Sequence, residues 1–143
     1  MRSYLLIAIS FFTLALMSCK KEGCMDSQAV NYNVDANEND GSCTYQSKTS
    51  FWFNQNTSGW LSVTYSVTSL SVYMDDILVG TMDPTDWKVG PDCGVDNFTV
   101  TNDHGSLPTK SWAYEVRDQN GTLQFSGSVT NIANDCKNIQ LVW

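Results

Sequence analysis

Thiols, imidazoles and paired carboxylates are where chemistry in a chain of 143 residues would start. The thiols number five, Cys19, Cys24, Cys43, Cys93 and Cys136, and the imidazole is single, His104. A nucleophilic mechanism needs a Ser or Cys within reach of that imidazole and a third group to orient it. No G-x-S-x-G elbow occurs, and Asn102-Asp103-His104-Gly105 reads as a polar loop. Glycoside hydrolysis needs two carboxylates facing across a cleft. The acidic residues instead cluster in turn-like stretches such as Asp75-Asp76 and Asp83 to Asp86. A zinc site is disfavoured by the lack of C-x-x-C and by the lone histidine. There is no glycine-rich phosphate loop and no cofactor fingerprint, so the expectation is a protein that is not an enzyme.

Cys19 stands apart because of what precedes it. Arg2 is followed by the apolar run Leu5 to Met17, which stops at Ser18-Cys19. A basic start, a short apolar stretch and a small residue before the break describe an export signal. The run is shorter than the roughly 20 apolar residues that span a bilayer. Cutting after Ser18 would put Leu16 at −3, which is wrong for an ordinary signal peptidase. Leu16-Met17-Ser18-Cys19 does fit Leu-x-[Ser/Ala/Gly]-Cys and resembles the lipobox of bacterial lipoproteins. The resemblance implies a signal peptide over 1–18 and a mature N-terminus at Cys19 carrying diacylglycerol and an N-acyl chain such as palmitate. One acyl chain holds only marginally, and several anchor stably. Lys20 is not the Asp that resembles an inner-membrane retention signal, so the resemblance points to the outer membrane. Lys20-Lys21-Glu22 leaves surface display open.

With Cys19 given to lipid, four cysteines remain in an exported, oxidising setting. Four allow three connectivities. Cys24–Cys43 is favoured because it brackets a compact segment, and Cys93–Cys136 because it lies wholly in the later part of the chain.

The first pair encloses C-x-D-x-x-A-x-N-Y-x-x-x-A-x-x-x-D-G-S-C-x-Y over residues 24–45. This is similar to a short module of secreted and surface proteins of environmental Gram-negative bacteria, which implies a spacer or stalk. Asn and Asp dominate its middle, as they do in turns, and so few residues need a covalent staple. Asp35, Asn37, Asn39 and Asp40 also resemble the opening of a calcium loop. Asp40 stands where that loop needs glycine, and Gln46 stands where it needs a bidentate Glu. A structural calcium is therefore the one cofactor worth testing.

Beyond this lipid-anchored linker and module (19–46), the pattern turns to period two over 48–143. Strands are predicted at Thr49–Asn54, across Leu61, Val63, Tyr65 and Val67, and at Leu70–Met74. A two-residue hairpin leads from there into Ile77–Met82. Further strands cover Phe98 and Val100, Trp112 to Arg117, Leu123 to Val129, and Ile139 to Trp143. No convincing helical period appears. About seven strands in some 95 residues predict an all-β fold, a single antiparallel sandwich with Greek-key-like connections. At fold level it looks like small immunoglobulin-like or transthyretin-like modules.

Alternation places Trp52, Trp60 and Tyr73 on outward faces, and Trp87 in a loop. Such rings can stack on sugars or anchor a protein, although an edge Trp also serves to close a core. The formal charge of −7 becomes −8 once Arg2 is removed with the signal, which repels nucleic acid. The sequence thus describes an outer-membrane or surface lipoprotein for binding, adhesion or envelope assembly. Its partners would be the membrane, through the lipid, and an envelope protein or polysaccharide. Carbohydrate binding through Trp52, Trp60 and Tyr73 is the alternative, and a small hydrolase the third class.

Overall fold

A computed structural model describes residues 20–95 and 97–142. The expected signal peptide over 1–18, the expected acylation at Cys19 and the terminal Trp143 lie outside the described residues.

The module opens with two short strands, β1 (Glu22–Gly23) and β2 (Glu38–Asn39), which pair in parallel. Between them the chain is built from Asx turns, each a side-chain oxygen accepting a backbone N–H two residues on. Examples are Asp26 to Gln28 and Asn33 to Asp35. Cys24 is bonded to Cys43 with Cα atoms 4.8 Å apart, and that bridge forms the centre of a small buried cluster with Ala29 and Tyr45. Ala133, from a turn far along the chain, completes the cluster. Tyr45 also donates its hydroxyl to Asp26 at 2.7 Å, and Asn134 donates to Gln28 O. The module is therefore docked on the β body and shares its residues.

Seven strands form that body. They are β3 (Tyr45–Trp52), β4 (Leu70–Met74), β5 (Ile77–Met82), β6 (Phe98–Gly105), β7 (Thr109–Asp118), β8 (Leu123–Ile132) and β9 (Cys136–Gln140). One sheet has the order β6-β3-β9, the other β5-β4-β7-β8. The chain changes sheet between β3 and β4, β5 and β6, β6 and β7, and β8 and β9. Strands among the described residues thus number nine rather than about seven, because the module contributes two of its own. Nor is pairing wholly antiparallel: β9 runs parallel to β3, with Lys48 opposite Cys136 and Phe51 opposite Ile139.

Alternation fills the core. Leu70, Val72 and Met74 on β4 face Phe51 of β3, with Trp112 and Val116 of β7 and Phe125 and Val129 of β8 around them. Two glycines permit the closest approaches. A Cβ on Gly127 would meet the Tyr114 ring, which lies edge-on to Phe51 at 5.2 Å. A Cβ on Gly80 would stand 2.7 Å from the Phe98 ring, where β5 meets β6 of the other sheet.

The segment after β3 corrects the sequence reading. The expected strand through Leu61, Val63, Tyr65 and Val67 is a short helix, α1 (Gln55–Gly59), followed by one π-helical turn, Trp60–Thr64. Leu61 and Val67 are buried as a strand would bury them, but Val63 is 81% exposed and Tyr65 is also exposed. Local bonds satisfy this backbone in place of a strand partner. Asn54 Oδ1 caps Thr57 N at 2.9 Å, Tyr65 N reaches Trp60 O, and Val67 N reaches Leu61 O.

Candidate functional site

His104 lies on β6 rather than in a solvated loop, and is only 3% exposed. Its Nδ1 is 3.2 Å from Leu107 O, which can only accept, so Nδ1 carries the proton. Nε2 then accepts from Ser47 Oγ at 2.7 Å. Ser47 in turn receives Asn131 Nδ2, whose other contacts are Lys48 O and Thr49 Oγ1. Trp112 closes the site edge-on at 4.8 Å. Burial lowers the His104 pKa and Lys110 lowers it further, while the Leu107 bond and Asp103 act the other way. A serine beside a neutral imidazole has the donor pattern of a nucleophile and base. Here both are enclosed between the sheets, and the pair acts as a polar seam of the core.

The four oxygen-bearing residues of the calcium-like turn have other uses. Asp35 pairs with Lys21 Nζ at 2.8 Å, and Asn37 Oδ1 accepts Lys21 N. Asn39 accepts Gly41 N and Asp40 accepts Ser42 N, and the bonds from Ser42 lower the Asp40 pKa. Among the described residues, no three His, Cys, Asp or Glu side chains converge in a metal-holding group.

The aromatic residues give the most developed surface feature. Trp52, at the end of β3, and Lys88 line two adjoining clefts. One, of about 420 Å³, is walled by Met82, Asp83 and Phe98. The other, of about 340 Å³, is walled by Gln55, Asn56, Trp87 and Gln140. Gln55 and Asn56 are shared with a third, more open hollow of about 600 Å³ that contains Trp60 and Thr64. Tyr65 stands beside Trp60, with ring centroids 6.4 Å apart. The three clefts therefore abut in a row from β5 to the π-helical turn.

This row is built on fixed elements. Ser58 of α1 donates to Pro84 O at 2.8 Å, and Lys88 N donates to Phe53 O, which ties the loop bearing Trp87 to α1 and β3. Asp83 caps Thr85 through its N–H and hydroxyl, bonds that also lower the Asp83 pKa. Lys88 pairs with Asp86.

Of the four aromatic residues singled out in the sequence, the structure brings Trp52, Trp87 and Trp60 into this row. Tyr73 lies apart on the outer face of the four-stranded sheet, between Leu78 and Glu115. Gln55, Asn56 and Gln140 were not legible as groove residues. The available signal was Asn54, a good helix N-cap ahead of Gln55-Asn56-Thr57.

No protein-family model, curated protein or solved structure compared with this chain matches it.

Proposed function

We propose that the chain is an exported lipoprotein, anchored through acylated Cys19, whose β body works by binding, adhesion or envelope assembly and carries no catalytic centre. The two disulfides suit an oxidising, extracytoplasmic compartment. No helix among the described residues is long and apolar enough to cross a membrane. The observation that carries the reading lies beside the lipobox. Lys20 pairs with Glu38, and Lys21 is held by Asn37 and Asp35, so the residues that directly follow Cys19 are tied to the module. Consecutive Cα atoms are about 3.8 Å apart, so lipid at Cys19 would hold the docked module and body against the bilayer surface with no slack. The module then serves as a rigid mount rather than a loose stalk. The enclosure of His104 and Ser47 supports the non-catalytic part of the reading.

The bilayer, reached through the lipid, and an envelope protein or polysaccharide are the partners, with outer-membrane placement following from Lys20. The acidic surface is unsuited to nucleic acid. Labelling cells with a palmitate analogue tests the anchor. Label should travel with the protein in the membrane fraction and disappear in Cys19→Ala, and an unlabelled, soluble wild-type protein would refute the proposal.

A further inference from the structure

We infer that the row of clefts from Trp52 to Trp60 binds a neutral polysaccharide chain. This deepens the proposed reading of the body as a binding module, and rests on it. Three features of the row favour that ligand. Trp60 is 53% and Trp87 38% exposed, each in a cleft contiguous with the next, so ring faces recur along a path longer than one small molecule needs. Indole faces stack well on the apolar faces of sugar rings because they are rigid and amphipathic. Between them stand the exposed amides of Gln55 and Asn56, with Gln140 across the cleft. An amide offers both donor and acceptor, as a sugar hydroxyl does.

Charge selects among polymers. The basic side chain in the row, Lys88, is neutralised by Asp86, and Asp83 is turned onto Thr85. Among the described residues lining the row a polyanion would meet no free cation, and it would approach an acidic protein, −7 over the full sequence and −8 without Arg2. A neutral glycan avoids both penalties. The clefts are also pre-formed, because Ser58–Pro84 and Lys88–Phe53 fix the loop that presents Trp87. Binding would then cost little ordering of the protein.

The test uses the mature lipoprotein in a detergent without sugar headgroups. Hexasaccharides of β-1,3-glucan, β-1,4-glucan, α-1,4-glucan, xylan and mannan are titrated by calorimetry and tryptophan fluorescence. At least one should bind and quench fluorescence, with affinity falling about tenfold or more in Trp87→Ala, in Trp60→Ala and in the Gln55→Ala/Asn56→Ala double variant. Tyr73→Ala should bind as wild type. These sites are exposed or part-exposed, and unchanged circular dichroism confirms that the variants fold. Silence across all five sugars overturns the inference, as does binding that these variants weaken no more than Tyr73→Ala. Binding of a peptide from a random library that Trp87→Ala abolishes, with the sugars silent, would overturn it in favour of a protein partner. Cys19→Ala protein should still bind the sugar, so loss of the anchor and loss of the ligand are read separately.

Discussion

Ser47 Oγ lies 2.7 Å from His104 Nε2 across the β3–β6 pair, while the opposite imidazole nitrogen faces Leu107 O. Both nitrogens are thereby committed in the neutral ring, and both side chains are buried. A histidine whose pKa is lowered in the folded state takes up its proton first in the unfolded chain.

The consequence is a pH slope of known sign. The His104 contribution to stability is complete above the unfolded value of about 6.5 and is lost as pH falls below it. Urea midpoints measured from pH 8 to 5 should drop for wild type. His104→Gln should be less stable at pH 8 but flat over that window. Carboxylates with lowered pKa, such as Asp26 and Asp83, act only near and below their ordinary value of 3.8, outside it. A wild-type midpoint that rises on acidification to pH 5 would contradict this assignment.

The two disulfides should differ in what they hold. Cys93–Cys136 spans 43 residues and ties the loop before β6 to β9, and Gly94 N of that loop reaches Ser50 Oγ of β3 at 2.9 Å. Loop-closure entropy predicts a loss of about 4 kcal/mol for Cys93→Ala/Cys136→Ala and about 3 kcal/mol for Cys24→Ala/Cys43→Ala. Chemical denaturation gives both values. Losing Cys24–Cys43 should also open the module selectively, because its buried cluster consists of those two cysteines and three other residues. Faster amide exchange at residues 24–44, with β7 and β8 still protected, is the expected signature.

Gly80 is a contact point between the sheets. Its φ of 152° and the Phe98 ring 2.7 Å from its missing Cβ leave no room for a side chain. Gly80→Ala should destabilise the fold by about 1–3 kcal/mol through overpacking, read as a lower melting temperature. Neutral behaviour would mean that the Phe98 ring does not pack against Gly80.

The Asp75-Asp76 hairpin holds both central residues at positive φ, 47° and 65°. Asp75 has a reason to be there, since its carboxylate accepts Ala113 N at 2.9 Å. For Asp76 no such bond is formed among the described residues, so Asp76→Gly should stabilise by about 0.5–1 kcal/mol. Asp75→Gly, which loses the bond, should not. Paired thermal melts check the difference.

Strands with one buried face were legible in the sequence. In β4, Leu70, Val72 and Met74 alternate with Ser71 and Tyr73, and the Asp75-Asp76 turn fixes the register. Leu61, Val63, Tyr65 and Val67 alternate with polar residues as a strand would, yet only Leu61 and Val67 are buried. Asn54 capping and backbone bonds within residues 54–67 decide the conformation there. Parallel pairing of β9 with β3 leaves no local trace, since their partners are some 88 residues apart in the chain. For the same reason the groove was only partly visible. Its rings could be named as exposed, but its amides come from α1 and β9, and their meeting with Trp52 and Trp87 is a property of the tertiary fold.

The most direct test of the account is the intact mass of the protein recovered from the membrane fraction. A polypeptide beginning at Cys19, heavier than its amino acids by a diacylglyceryl group and an N-acyl chain, is the predicted result. A mass matching unmodified sequence, or a mature N-terminus at any other residue, would contradict it.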